Sequence, residues 1–231
     1  MPADDDQAAA AVAREVLAPY LALVEELGLC PWAEPARRGD EVRVAVRWWR
    51  GEIAELTTRL AAAARGWDDD PGMRVGLIVV PDLPLGTDAW RRVRDAVAAA
   101  APRYAMADFH PEAPYAADTP ARLVRLFRRS PDPLLQLVPH AILRGLARGP
   151  SVPSPALQAA ILADPFGVPP PPRDVRERIA EDNFATAREV GVETIAARLA
   201  AMRARGQAAY AAASIAMPAG FGRAQDLACA R

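Results

Sequence analysis

Two histidines occur in this chain, and the first of them, His110, stands where a predicted strand ends. It follows Phe109 and precedes Pro111, which begins a polar loop. Imidazole titrates near neutral pH and binds metal ions when it is neutral. Asp108 and Glu112 are close enough in sequence to orient the ring. We therefore expect His110 to be a general base or a metal ligand, with the capping of backbone carbonyl groups as the structural alternative.

Cys30 is the second candidate, and a cysteine at this place has more than one interpretation. It could be a nucleophile paired with His110, or a soft ligand to a metal or to haem iron. It could equally be a small, buried apolar residue. The predicted helix before it ends near Gly28, and the C-terminal end of a helix dipole does not favour a thiolate.

Arg129 and Ser130 precede a proline, and a rigid turn with a guanidinium and a hydroxyl group can bind a carboxylate or a phosphate. The alternative is an ordinary helix break, in which Ser-Pro begins the next helix. The second histidine, His140, has no acidic residue within one helical turn, so we expect a core or boundary histidine. If a metal is bound, its candidate ligands are His110, Cys30 and His140.

The hydrophobic pattern predicts the elements that must position these residues. Three strands are predicted at residues 41–49, 74–83 and 103–109, with an amphipathic helix between each pair. A further helix, residues 6–27, precedes them. Helical connections between strands imply right-handed crossovers and a parallel sheet. The predicted fold class is α/β, with a short parallel sheet built as β-α-β-α-β and a helical C-terminal half.

Sheets of this kind bind ligands beyond the carboxyl ends of their strands. The predicted substrate-binding residues are the polar and aromatic ones at these ends and in the arginine turn: Trp49, Arg50, Asp82, Asp108 and Ser130. The predicted catalytic residues are His110, Cys30 and Arg129. All of them are expected to meet at one edge of the sheet.

The chain after residue 120 is predicted to be helical. A short helix is expected at residues 119–127, a second at 130–149, and a long Arg- and Glu-rich helix at about 174–213. The apolar stripe of that last helix, residues 184–202, is expected to pack on the protein's own core or on a partner.

Proline-rich sequence divides the chain into three predicted parts. Residues 1–148 form the α/β core domain with the candidate site, residues 149–173 form a stiff Pro-rich linker, and residues 174–231 form a helical extension. A charged helix beyond a linker suits a protein partner or self-association.

Composition excludes several classes of function. All 28 basic residues are arginines, so the chain can form neither the lysine Schiff base of pyridoxal phosphate nor a phosphate-binding P-loop. The net charge of −1 gives no basis for binding nucleic acid or an anionic membrane. The chain has two cysteines, an acidic N-terminal segment and no apolar run of about 20 residues. We therefore expect a cytoplasmic protein with reduced thiols.

Three short segments share both their sequence and their order with a known pattern. Residues 27–33 read Leu-Gly-Leu-Cys-Pro-Trp-Ala, residues 109–111 read Phe-His-Pro, and residues 129–135 contain Arg-Ser-Pro and Pro-Leu-Leu. They resemble Asn-Leu-Cys-Pro-Phe-Ala, Phe-His-Pro and Asn-Arg-Ser-Pro-Tyr-Pro of a bacterial family, domain of unknown function 1415. The resemblance covers roughly residues 10–145. The resemblance implies that Cys30, His110 and Arg129 belong to one site, and it implies no reaction.

The chain departs from the family pattern at three places. Arg128 stands where the family has Asn, Gln136 where it has His, and Pro139-His140 where it has Arg-Glu. Either His140 takes the place of the family histidine, or the chemistry that depends on it is lost.

Three functions follow as expectations. The first is an enzyme that acts on a small, anionic molecule at the carboxyl-end edge of the sheet. The second is a non-enzymatic binding or assembly protein that docks through residues 174–213. The third is a metal or haem protein that uses His110 together with Cys30 or His140.

Overall fold

The computed structural model describes residues 6–143, 175–218 and 220. Four strands in this part of the chain form one open sheet in the order β1-β2-β4-β3. The strands are β1 (Val42–Val46), β2 (Val75–Val79), β3 (Tyr104–Phe109) and β4 (Leu134–Pro139). β1 pairs parallel with β2, and β4 pairs antiparallel with both β2 and β3, so β1, β2 and β3 all run in one direction. The predicted α/β class is confirmed, and the sheet is mixed because β4 lies antiparallel within it.

β4 lies in the segment 130–149 that was predicted to be a helix, and for β4 that prediction is wrong. Leu135 and Leu137 are buried on one face of the sheet, and Leu134 and Val138 are buried on the other. A central strand is apolar on both faces, so its sequence is a short continuous apolar run rather than an alternating one. Periodicity alone does not distinguish such a run from part of a helix. Helical residues begin directly afterwards, at 140–143.

Seven further helices connect or cover the strands in the described residues. They are α1 (Gln7–Glu26), α2 (Ala33–Arg38), α3 (Ile53–Arg65), α4 (Thr87–Ala100), α5 (Pro120–Leu123), α6 (Val175–Val190) and α7 (Val192–Ala212). A single 3₁₀ turn, Leu126–Arg128, follows α5. The short helix α2 is not among the elements that the sequence predicted. The predicted last helix is two helices, because Gly191 adopts a φ of 95° between them, a conformation that favours glycine.

One face of the sheet is covered by α3 and α4. Leu56 and Leu60 of α3 and Trp90 of α4 are fully buried there, against Ile78 of β2 and Leu135 of β4. The apolar residues of α3 and α4 recur at helical spacing, so each helix presents one apolar stripe to the strands.

The other face is covered by α1, α6 and α7. Leu17 and Leu23 of α1 pack with Leu199 of α7 over Leu77 of β2. α1 and α7 approach each other closely at Gly206, where an added Cβ would lie 2.6 Å from Val16 Cγ1. The close approach explains why the residue at this point of α7 has no side chain.

The apolar stripe at residues 184–202 is covered by the protein's own core. Ala187, Ile195, Leu199 and Met202 are buried in the same cluster as the α1 side chains, and Phe184 packs against that cluster. The stripe therefore lacks the exposure that docking on a partner would require. The Pro-rich linker predicted at residues 149–173 lies outside the described residues.

One helix of the described chain, α1, is long and apolar enough to cross a membrane by length and composition. This corrects the expectation that no segment reaches such a length. Core helices of soluble proteins can be equally long and apolar. In the most apolar 18-residue stretch of α1, 39% is buried inside the fold.

Candidate functional site

The carboxyl ends of β2 and β3 lie beside the start of β4, because β4 runs in the opposite direction. Leu134, the first residue of β4, pairs with both Val79 and Phe109, the last residues of β2 and β3. The turn before β4, with Ser130 and Asp132, therefore lies at the carboxyl-end edge of the sheet, where the sequence predicted a ligand site. Of the predicted site residues, Asp82, His110 and Ser130 lie at this edge.

His110 is fully enclosed at this edge, and both of its ring nitrogens have protein partners. Its Nε2 lies 3.0 Å from the carbonyl oxygen of Leu85, and its Nδ1 accepts the backbone N–H of Glu112 at 3.1 Å. These contacts require the neutral ring with the proton on Nε2. Burial lowers the pKa of His110, which favours the same neutral form. His110 thus ties the end of β3 to the loop before α4, and its geometry favours the structural alternative.

Two acidic side chains are buried at the same edge. Asp132 accepts a hydrogen bond from the Tyr210 hydroxyl at 2.6 Å, and burial raises the pKa of Asp132 to about 7. Asp82 accepts the backbone N–H of Trp49 at 2.7 Å through one oxygen, and burial raises the pKa of Asp82 to about 6. The other carboxylate oxygen of Asp82 is buried without a hydrogen-bond partner in the described structure. These groups join the ends of β1, β2 and β4 to α7.

Arg129 lies in a separate, small pocket of about 180 Å³ against α7. Its Nε donates to the carbonyl oxygen of Ala113 at 2.9 Å, and its guanidinium stacks over the Tyr115 ring at 4.8 Å. The same pocket is lined by Arg203 and Ser130, and the Ser130 hydroxyl donates to the carbonyl oxygen of Asp132. Arg129 therefore holds the loop after β3 in place.

The remaining predicted binding residues are distributed around the sheet. Trp49 is half-buried against the α3 and α4 side, whereas Trp48 is fully buried on the α1 and α7 side. Arg50 is exposed. Asp108 points toward α4, where it lies 3.6 Å from Arg94.

A cleft of about 1330 Å³ opens over the α1 face of β3 and β4, and we call it the Cys30 cleft. Its walls are largely apolar and include Leu77, Phe109, Leu134 and Val138. Cys30 lines this cleft, whereas His110 and Arg129 do not. The structure therefore separates the three residues that the sequence assigned to one site.

Cys30 is a free thiol with hydrogen-bond donors near its sulfur. These are the backbone N–H groups of Trp32 and Ala33, at the start of α2, and the side chain of Gln136 on β4; the Ala33 N–H itself donates to the backbone carbonyl oxygen of Cys30 at 3.1 Å. These donors lower the pKa of Cys30, but burial is the larger effect and raises it above its usual value. The sequence placed Cys30 only after the end of α1, and it missed the donors because it did not predict α2.

A group of arginines stands at the β3 side of the cleft. Arg128 and Arg94 line it, and Arg125 lies close enough to Arg128 to disfavour its charge. Burial and these like charges lower the pKa of Arg128, while the carboxylate of Asp108 opposes them. The Arg128 guanidinium has no hydrogen bond or ion pair within the described residues, although it is half-buried.

Tyr20 connects the thiol with this arginine group. Its hydroxyl donates to the carbonyl oxygen of Phe127 at 2.6 Å, and both Cys30 and Arg128 are near enough to affect its pKa in opposite directions. Tyr20, Arg128 and Gln136 are site residues that the sequence did not select. Gln136 carried a signal, since it is the polar residue within the apolar run of β4.

The two histidines occupy different surroundings. His140 lines the Cys30 cleft, so it is the histidine that shares a cavity with the thiol. No group of three or more His, Cys, Asp or Glu side chains is arranged to hold a metal ion within residues 6–143 and 175–218.

Comparison of the chain with family models, with curated proteins and with solved structures finds no match.

Proposed function

We propose that this protein is an enzyme that binds a small molecule in the Cys30 cleft and acts on it through the Cys30 thiol. One observation carries the proposal: a cleft of about 1330 Å³ is lined by a free thiol that has three hydrogen-bond donors near its sulfur. Small-molecule sites usually occupy about 300–1,000 Å³ and combine apolar walls with a few polar groups. The Cys30 cleft is somewhat larger than this range, and its largely apolar walls include the polar groups of Cys30, Gln136 and His140.

The thiol needs activation before it can react. Burial raises the pKa of Cys30, so the resting group is protonated at neutral pH. A nucleophilic thiolate therefore requires a base, and His140 is the candidate because it lines the same cleft. The donors from Trp32, Ala33 and Gln136 would stabilise the thiolate once it forms.

His110 and Arg129 have supporting roles in this proposal. His110 holds the loops at the carboxyl edge through both ring nitrogens, and Arg129 holds the loop after β3. The proposed site thus lies on a face of the sheet rather than at the ends of its strands.

The two other expected functions have less support. Docking through the last helices relied on an exposed stripe, and that stripe is buried on the protein's own core. Metal binding by His110 would require the ring to give up partners at 3.0 and 3.1 Å.

Membership of the family domain of unknown function 1415 is part of the same proposal. Gln136 directly follows the third resembling segment, and its side chain lies near Cys30 of the first segment, where it favours the thiolate. The family pattern has a histidine at the position of Gln136. In this proposal the side chain at that position interacts with the cysteine both in this protein and in the family.

The rate at which Cys30 is alkylated reports whether the cleft is accessible. In a Cys229→Ser background, which leaves one thiol, we would measure the alkylation rate of Cys30 and identify small molecules that co-purify. Ala107→Phe adds a ring to the cleft wall directly opposite Gln136 on the neighbouring strand. Ala54→Phe on the exposed surface of α3 is the matched control.

The proposal predicts that Ala107→Phe slows alkylation of Cys30 and removes any co-purifying molecule, while Ala54→Phe changes neither. Equal alkylation rates in the two variants, or a co-purifying molecule that Ala107→Phe retains, would contradict a site in this cleft.

A further inference from the structure

We propose that the ligand of the Cys30 cleft is an amphipathic monocarboxylate whose head group binds Arg128 and whose apolar body lies along β3 and β4. This inference rests on the proposed function, because it names the substrate class of the same cleft.

Arg128 carries a positive charge at the wall of the cleft. Its guanidinium is half-buried at the cleft wall, and it has no hydrogen-bond acceptor or ion-pair partner among the described residues. A charge that is partly removed from water without a partner is unfavourable, and an anion placed beside it restores the lost interaction. The nearest carboxylate to influence it, Asp108, already lies 3.6 Å from Arg94.

The number of charges indicates one negative charge on the ligand. Arg94 lies 3.0 Å from Asp95 and 3.6 Å from Asp108, so its charge is paired. Arg128 is the half-buried guanidinium of the cleft wall that lacks an ion pair among the described residues, and it calls for one negative charge. A planar carboxylate can accept two parallel N–H donors of a single guanidinium, which a half-buried arginine offers in a fixed geometry.

The lining of the cleft indicates the rest of the molecule. Phe109 and Leu134 form the wall next to Arg128, and Leu77 and Val138 continue it along the sheet. This surface is too apolar to bind a second charged group well, and the volume of about 1330 Å³ greatly exceeds that of a carboxylate. An alkyl or aryl body matches such a surface through burial of apolar area.

The glutamates of the cleft do not neutralise Arg128. Glu25 is paired with Arg37 at 2.6 Å, and Glu177 and Glu181 belong to α6. None of these carboxylates affects the pKa of Arg128, whereas Asp108 does. A dianionic ligand that reached from Arg128 toward α6 would therefore meet like charge.

The test is calorimetric titration with octanoate, dodecanoate and the neutral analogues 1-octanol and methyl dodecanoate. The acids should bind more tightly than their neutral analogues. Arg128→Gln should weaken binding of the acids roughly ten- to hundredfold, as expected for the loss of a charge-assisted hydrogen bond, and leave the neutral analogues unchanged. Arg128→Lys, which keeps the charge and loses the paired donors, should give an intermediate loss.

Arg122→Gln is the matched control, because it removes the same charge from an exposed residue that is paired with Asp118 outside the cleft. It should leave all four affinities unchanged. Equal binding of an acid and its neutral analogue, or acid affinities unchanged by Arg128→Gln, would overturn the head-group inference while binding in the cleft stood. If none of the four compounds binds, the inference is overturned, and the alkylation experiment with Ala107→Phe decides the proposed function separately.

Discussion

Replacement of Asp132 by Asn should flatten the dependence of stability on pH. Asp132 is 5% exposed, and its carboxylate accepts the Tyr210 hydroxyl at 2.6 Å. Asn keeps the shape and one acceptor oxygen for that hydroxyl, and it removes the group that titrates. The change therefore isolates the cost of ionising Asp132 from the loss of a contact.

The magnitude follows from the raised pKa of Asp132. Burial raises this pKa from 3.8 to about 7, so between these values the folded protein holds a proton that the unfolded chain has released. Stability therefore falls as the pH rises through this range and levels off above it. At about 1.4 kcal/mol per pKa unit, Asp132 alone should cost about 2 to 3 kcal/mol between pH 5 and pH 8.

Other groups act in the same range and are shared by both proteins. Burial raises the pKa of Asp82 to about 6, which adds to the loss of stability with rising pH. Burial lowers the pKa of His110 below 6.5, so the folded protein holds fewer protons there, and His110 opposes that loss as the pH rises. The His110 contribution cancels when the free energies of unfolding of wild type and Asp132→Asn are subtracted at each pH. The Asp82 contribution cancels in part, because the charge of Asp82 raises the pKa of Asp132 and the two groups are coupled.

Urea denaturation at pH 5, 6, 7 and 8, followed by circular dichroism, measures the difference. The free energy of unfolding of Asp132→Asn relative to wild type should rise by about 2 to 3 kcal/mol from pH 5 to pH 8. Asp118→Asn, which changes an exposed acid, should run parallel to wild type. Parallel curves for Asp132→Asn and wild type would refute the assignment of a raised pKa to this carboxyl group.

Three further changes test other parts of the fold. Gly206→Ala should lower the free energy of unfolding by about 1 kcal/mol or more, because overpacking against Val16 at 2.6 Å outweighs the better helix propensity of alanine, and Val16→Ala in the same chain should recover part of the loss in urea denaturation. His110→Ala should cost about 2 to 4 kcal/mol by the same assay, since it removes a buried ring and leaves the buried carbonyl of Leu85 and the part-buried N–H of Glu112 without that partner; unchanged stability would argue against a structural role. Gln136→His should raise the alkylation rate of Cys30 at pH 7 by about tenfold in the single-thiol background, because an imidazole beside the sulfur can take its proton; a rate equal to wild type would argue that position 136 does not control the thiol.

The sequence by itself determined the class of the fold. Alternating and continuous apolar runs predicted β1, β2 and β3 and the helices between them, because local periodicity is set by which face of an element is buried. It also selected Cys30, which lines the large cleft, and it noted the departures at Arg128 and Gln136. Local periodicity and short motifs involve only residues that are close together along the chain, so the sequence alone reveals them.

Only the tertiary structure decided where the predicted site residues lie. β4 takes its strand conformation from pairing with β2 and β3, and its central position makes its sequence apolar on both faces. That insertion places Gln136 beside Cys30 on one face, while His110 is held at the carboxyl edge by Leu85 and Glu112. The end of a predicted strand indicates how far along the sheet a residue lies, but it does not indicate which face of the sheet its side chain contacts. Residues that were predicted to share one edge therefore lie in different surroundings in the fold.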